Sequence, residues 1–296
     1  MILTLAHPDA CAHAHTHALA QAPAHAGHGG TGVFGAVVAS VALLAALAYP
    51  TAAARLRGRG DAWPRHRDLC FTAGCAALAL ALTGTLPGGP FTAHMAQHLT
   101  VAMAAPLLLV LGRPLTLVLR ALPGGSPARR ALLAVAHSRP VGVLLFPPLA
   151  AVLDIGGLWL LYRTPLSAQA AHHPLLGALV HAHVLAAGLL FTFAVCQLDP
   201  VRRRRGPLRR GATLLAAGWA HAVLAKSLYA TPPPGTAYAA GDLHTGAQLM
   251  YYGGDLVEAA LATVIATGWY VATGRARRRR ARGAPYGTGR SPAAAA

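Results

Sequence analysis

The chain has 296 residues, 55% of them hydrophobic and only 11% charged, where an ordinary soluble domain carries roughly a quarter charged residues. Most of it therefore has no water to face, which excludes a conventional soluble globule. A net charge of +17 would by itself point to nucleic acid, but the arginines fall in separate clusters between apolar stretches with few aromatic residues among them, which weakens that reading and leaves no nucleic-acid partner expected.

Residues 1–30 hold His7, Cys11, His13, His15, His17, His25 and His28. They lack the positive charge and the long apolar run of a secretory signal, so they read as a His-rich extracytoplasmic tail. Such a tail is either a flexible collector of soft or borderline metal ions or a low-complexity segment without function. Residues 31–274 read as one membrane domain. About 20 apolar residues cross roughly 30 Å of hydrocarbon. Seven stretches qualify: Val33 to Pro50, Leu69 to Leu86, Phe91 to Leu111, Val141 to Tyr162, Leu175 to Cys196, Gly211 to Ala230 and Ala247 to Thr273. Pro147 and Pro148 should kink the fourth. Leu115 to Leu122 fits a short interfacial helix closed by Pro123-Gly124-Gly125. Residues 275–296 read as a basic cytoplasmic tail without fixed structure, its arginines serving as orientation anchors or touching anionic lipid.

Arginine placement sets the orientation. Clusters follow the first, third, fifth and seventh stretches, and together they hold 23 of the 25 basic residues. The alternate loops carry almost none. Cytoplasmic loops collect Lys and Arg, so the expected fold is an all-α polytopic membrane helix bundle of seven transmembrane helices. Its N-terminus lies outside and its C-terminus in the cytoplasm. Cys70, Cys75 and Cys196 sit at the ends of apolar stretches as small filler, and no structural disulfide is expected.

Ionisable side chains inside spans are costly and point to function. At 1.5 Å per residue, counted from the outer helix ends, Asp154 lies about 12 Å deep, His181 about 10–12 Å, His221 about 13 Å and Asp255 about 12 Å, with Glu258 one turn deeper. One layer of the outer half-membrane thus collects His and carboxylate from four helices. Above it, His94 and His98 are four apart and share a face with Met95 nearby, and Asp242 and His244 occupy the last outer loop. Gln248, Tyr251, Asp255 and Glu258 repeat at helical spacing as one polar stripe expected to point into the bundle. His181 and His183 project in nearly opposite directions, and His181 is the one expected to face inward. The bland readings are interhelical hydrogen bonds for a lone His, and a Lys226 pair for Asp255 or Glu258. The layer as a whole favours a metal or proton-handling site formed from His94, His98, His181, His221, His244, Asp154, Asp255, Glu258 and Met95. Imidazole and thioether suit copper, while zinc and haem iron also take imidazole, and carboxylates can orient the imidazoles. No Ser-His-Asp order, phosphate loop, Cys-x-x-Cys or His-Glu-x-x-His is present, so no catalysis is expected.

His94-Met95-Ala96-Gln97-His98 followed by Pro106 and the Gly112-Arg113-Pro114-Leu115 block resembles the third span of the multi-span CtaG family of cytochrome c oxidase assembly proteins. His181-Ala182-His183 through Phe191 to Asp199-Pro200 resembles its fifth span, and Asp242 to Gly246 its last outer loop. The chain departs from that pattern in carrying His244 and Met250-Tyr251-Tyr252 where a Gln and a Trp are expected. The resemblance implies a non-enzymatic assembly factor that helps deliver copper, Cu(I) by its softness, to the haem–copper centre. Its expected partners are the oxidase subunit carrying that centre and the lipid bilayer. A membrane copper importer, a haem-binding electron carrier and a purely structural scaffold are the competing readings.

Overall fold

The computed structural model describes residues 32–200 and 204–283, and every regular element among them is helical. The His-rich N-terminal tail and residues 284–296 lie outside the described residues. Helices α1 (Gly32–Gly58) and α2 (Arg65–Thr83) form an antiparallel pair. Next comes one long rod built from α3 (Pro90–His98), a π-helical segment (Leu99–Ala104) and α4 (Ala105–Leu111). Short helices α5 (Pro114–Ala121), α6 (Pro127–Ala136) and α7 (Arg139–Leu144) lead to α8 (Pro147–Arg163). After α9 (Leu166–His172), the long helices α10 (Pro174–Cys196), α11 (Pro207–Ala230) and α12 (Ala240–Gly283) complete the bundle.

Four of these helices are long and apolar enough to cross a bilayer alone: Gly32–Gly58, Pro90–Ala121, Pro174–Cys196 and Ala240–Arg278. Joining α8 to α9, which bend by 79° at their junction, makes a fifth. The count falls short of the seven read from hydropathy for a local reason. Helix α2 opens on Arg65, Arg67 and Asp68, α11 opens near Arg209 and Arg210 and carries Lys226, and α8 has only 17 residues.

Prolines explain where the helices differ from expectation. The fourth stretch does not kink; it breaks. Phe146 is extended (ψ 116), as a residue before proline prefers, and Pro147 restarts the helix at its first turn, where a missing N–H costs nothing. In the third stretch, Pro106 cannot donate to the carbonyl of Ala102 and its ring crowds that oxygen. The turn just before it widens to π geometry, and the Ala105 N–H reaches back five residues to Thr100. The Ala102 carbonyl lies against Gly188 of α10, so the widened turn meets the one residue there with no side chain. The short helix expected after Gly112 forms as α5, continuous with the preceding span up to Ala121, whereas α6 was not read from the sequence. Helix α12 continues through the arginines as far as Gly283, where lack of structure was expected. Arg and Ala are good helix formers, and cations suit a helix C-terminus.

The arginine-rich end is tied together by side chains. Arg57 pairs with Asp68 at 2.8 Å and Arg120 with Asp61 at 2.7 Å. The Tyr49 hydroxyl donates to the Gly112 carbonyl, and Arg67 stacks over Trp63 at 4.6 Å. Asp199, in the turn after α10, accepts from the Thr116 N–H (2.8 Å) and hydroxyl (2.5 Å) at the start of α5. Burial pushes that carboxyl above its ordinary range, while the Thr116 bonds pull the other way. At the opposite end, Asp242 near the start of α12 accepts from the N–H groups of Phe91 (2.8 Å) and Thr92 (3.0 Å), capping α3. That end presents the histidines.

Candidate functional site

The first turns of α3 position the cluster. With α3 fixed by Asp242, His94 and His98 project from one face, one turn apart, toward α8. The Tyr162 hydroxyl lies 3.0 Å from the His94 Nε2. The Tyr162 ring meets both imidazoles edge-on, with centroids 5.8 Å from His94 and 6.2 Å from His98. Beyond His98 lies His221 of α11, ring centroids 6.3 Å apart and planes tilted by 32°. His98 and His221 are both buried, at 5% and 2% exposure, and the Nε2 of each has no hydrogen-bond partner. A buried imidazole nitrogen without a partner costs free energy, so two of them side by side call for a ligand.

Glu258 of α12 approaches the other nitrogen of His221, Nδ1 to Oε1 3.6 Å. Two glycines permit this. The backbone of Gly218 lies against the Glu258 carboxylate and that of Gly254 against the His221 ring, where a Cβ would collide. Beneath the pair is a small cavity of about 20 Å³, room for a water molecule or a bare ion and too little for a haem. Asp154, Glu258, His221, Met103 and Thr192 supply its polar and sulfur atoms, among apolar neighbours that include Phe191 and Leu214.

The structure brings some of the sequence-derived candidates together and separates others. His94, His98 and His221 form the cluster, and Asp154 and Glu258 line the cavity next to it. His181 turns back on its own helix, Nδ1 2.8 Å from the Gly177 carbonyl, and His183 lies 3.2 Å from the Leu153 carbonyl of α8. Met95 is fully buried in the apolar cluster with Phe91, Leu158 and Leu224, and does not line the cavity. His244 stacks flat on Tyr229 at 4.1 Å. The stripe on α12 does not point wholly inward: Gln248 and Asp255 are exposed, and Glu258 is the member that reaches the cavity. Lys226 sits over the Tyr251 ring at 5.3 Å and pairs with neither carboxylate. Tyr162 and Thr192 were not among the candidates; a tyrosine at the end of an apolar span, aligned with the histidine layer, was the available signal. Among the described residues, no group of three or more His, Cys, Asp or Glu side chains is arranged to hold a metal ion.

Residues 47–272, most of the chain, match the family described as cytochrome c oxidase caa3 assembly factor (Caa3_CtaG). The chain belongs to that family. It is also 36% identical over 179 residues to an uncharacterized protein of Mycobacterium bovis and, equally, to one of Mycobacterium tuberculosis, matches that cover 58% of this chain and 27% of each relative. An uncharacterized protein of Mycobacterium leprae is 32% identical over 191 residues, covering 62% of this chain and 29% of its own length. The chain thus spans less than a third of the curated relatives that it matches. No solved structure matches it. The family is one of cytochrome c oxidase assembly factors, and the long apolar helices of this chain fit a membrane protein.

Proposed function

We propose that this assembly factor hands copper to the haem–copper subunit of a cytochrome c oxidase in the bacterial plasma membrane. In this reading the chain crosses the membrane seven times, with the arginine-rich end in the cytoplasm and the histidine end outside. Helices α2, α8 and α11 join the more apolar four as spans, because helices packed within a bundle tolerate charges near their ends.

The observation that carries the reading is the His98–His221 pair: two buried imidazoles with unpartnered Nε2 atoms and centroids 6.3 Å apart. Two metal–nitrogen bonds of about 2.0 Å, added to two ring radii, come to about 6 Å. A pair of neutral imidazoles with no third ligand suits a soft monovalent ion of low coordination number. Zinc asks for four ligands, so Cu(I) fits better. The closeness of Glu258 to the His221 Nδ1, 3.6 Å, supports a role for that carboxylate in orienting a ligating imidazole. Asp154 and Met103 line the small cavity next to the pair, where an ion could rest before transfer.

Metal analysis of protein purified from copper-supplied cells tests this. Copper should accompany the wild type and be lost from His98→Ala and His221→Ala, while His183→Ala retains it. Cells lacking the protein should make oxidase that has haem but lacks copper at the haem–copper centre. Copper-free wild-type protein together with fully loaded oxidase in the deleted cells would exclude copper delivery. The size of the cavity speaks against a haem carrier, and a colourless preparation is the expected outcome.

A further inference from the structure

Most arginines at the basic end need no partner beyond water. Two are placed differently. Arg205, just before α11, and Arg209, in its first turn, both lie over the Phe146 ring, their guanidinium carbons 5.2 and 5.9 Å from its centre. Two like charges on one ring repel each other, and a phenyl face holds a cation only weakly where water reaches it. No carboxylate is left to neutralise them. Asp61 and Asp68 pair with Arg120 and Arg57, and Asp199, buried, is taken up by Thr116. Asp242 caps α3, Asp154 and Glu258 line the cavity, and Asp255 is exposed on α12. These are seven of the eight Asp and Glu residues, and none is within ion-pair distance of Arg205 or Arg209; the eighth, Asp9, lies outside the described residues.

The backbone holds the pair in place. Helix α10 closes on Gln197 in the left-handed conformation (φ 47), and the buried Gln197 side chain accepts from the Arg205 N–H at 2.9 Å. The Arg210 guanidinium donates to the Val195 and Cys196 carbonyls at 2.9 and 3.2 Å, which ties the start of α11 to the end of α10. The break before Pro147 sets Phe146 at the head of α8, half-buried, rather than inside a continuous helix. The neighbours decide the kind of anion. Leu208, beside Arg209, is 85% exposed, and Leu215 and Trp219 continue that face of α11 at 76% and 73%. From Leu208 to Trp219 is about 16 Å along the helix. Val143 and Leu144, at the end of α7, are exposed as well. A free phosphate or an acidic protein loop would leave these side chains bare, whereas an amphiphile covers them and the guanidiniums together. We propose that Arg205, Arg209 and Phe146 form a site for the headgroup of an anionic phospholipid, whose acyl chains lie along Leu208, Leu215 and Trp219. The phosphodiester accepts charge-assisted hydrogen bonds from both guanidiniums and removes their repulsion. The inference needs α8 and α11 to cross the bilayer and does not need copper.

The full chain, delipidated in an uncharged detergent, is titrated with phosphatidylglycerol or with phosphatidylcholine of the same acyl chains, and bound lipid is counted by native mass spectrometry. The wild type should take up phosphatidylglycerol first and more tightly. Arg205→Gln combined with Arg209→Gln should weaken that binding roughly tenfold or more and leave phosphatidylcholine binding unchanged. Arg130→Gln, on α6 at the same end, should bind as the wild type does. If the double variant fails to fold, judged by helical circular dichroism, Leu208→Asp replaces it; at an exposed position it supplies the missing carboxylate and should likewise lose the lipid. Equal affinity of the wild type for the two lipids, or phosphatidylglycerol binding unchanged in these variants, overturns the proposal. Full displacement of the lipid by millimolar inorganic phosphate also overturns it and leaves a site for free phosphate. Absence of the lipid preference together with failed oxidase maturation in cells carrying the double variant overturns it as well, and assigns the two arginines to an acidic protein surface. None of these measurements involves copper, so a copper-free protein that selects the anionic lipid would sink the proposed function and leave this site standing.

Discussion

At the scale of single residues, the site depends on groups too small or too plain to stand out in a sequence. Tyr162 is an example: its hydroxyl is the polar partner of the His94 Nε2, and its ring, part of the apolar cluster, meets both α3 imidazoles edge-on. Tyr162→Phe keeps the ring and removes the bond, leaving a half-buried imidazole nitrogen without its partner at a cost of about 1 kcal/mol. A lowered thermal midpoint, followed by circular dichroism in detergent, is the expected result. An unchanged midpoint would mean that water already serves His94. Gly254 acts by absence. Its backbone touches the His221 ring, so the Cβ in Gly254→Ala must displace that ring or push α11 from α12, costing about 1–3 kcal/mol. We expect the variant to stay helical and lose the copper that the proposed function assigns to His221, and full metal content in Gly254→Ala would show that the ring can move freely. Gly218→Ala should be milder, because the atom that it meets is the end of the flexible Glu258 side chain.

At the scale of elements, the long apolar helices were legible because hydropathy alone determines them, and α5 was legible from its flanking Pro114 and Pro123. What the sequence pattern left out were the consequences of Pro106 and of the Phe146-Pro147-Pro148 junction, a π turn and a break. Both follow from rules on proline, yet choosing between kink, bulge and break requires the neighbour, here Gly188 against the Ala102 carbonyl. The candidate site was legible only in part. Periodicity gives the depth of a residue well and its direction poorly, since 100° per residue must be referred to neighbours that are not yet known. Depth therefore found Asp154, His221 and Glu258, while direction misjudged the α12 stripe, where Asp255 faces outward. Asp242 shows how one element sets another. Its carboxylate caps α3 with two backbone N–H groups and receives the Thr92 hydroxyl at 2.6 Å. Asp242→Ala should cost about 0.5–2 kcal/mol, the range for loss of a helix cap. The loosening should centre on the first turn of α3, where amide exchange at Phe91 and Thr92 should accelerate. Exchange raised equally throughout the chain would show instead that α3 has no stability of its own to lose.

At the scale of the whole molecule, the two ends of the bundle differ in chemistry. One gathers Arg57, Arg67, Arg120 and Arg210 into ion pairs, ring stacking and carbonyl contacts. The other gathers His94, Tyr162 and Asp242, with Arg163 bonded to Thr231. In the proposed topology the basic side is the cytoplasmic one, because Lys and Arg loops are retained on the side of synthesis. Copper delivery to an oxidase centre assembled from outside needs the histidine end to face that way, so topology and function stand or fall together. Single cysteines in a cysteine-free background test the orientation directly. Exposed positions Gln169 and Pro234 belong to the histidine end, and Ala128 and Gly206 to the arginine end. A membrane-impermeant maleimide added to intact spheroplasts should label Gln169→Cys and Pro234→Cys at once, and Ala128→Cys and Gly206→Cys only after the membrane is opened. The reverse pattern would turn the histidine cluster toward the cytoplasm and make loading of an outward-facing centre from it untenable. Labelling at Gln169 from one side and at Pro234 from the other would show that α10 and α11 do not both cross, and with that the seven-span bundle would fail.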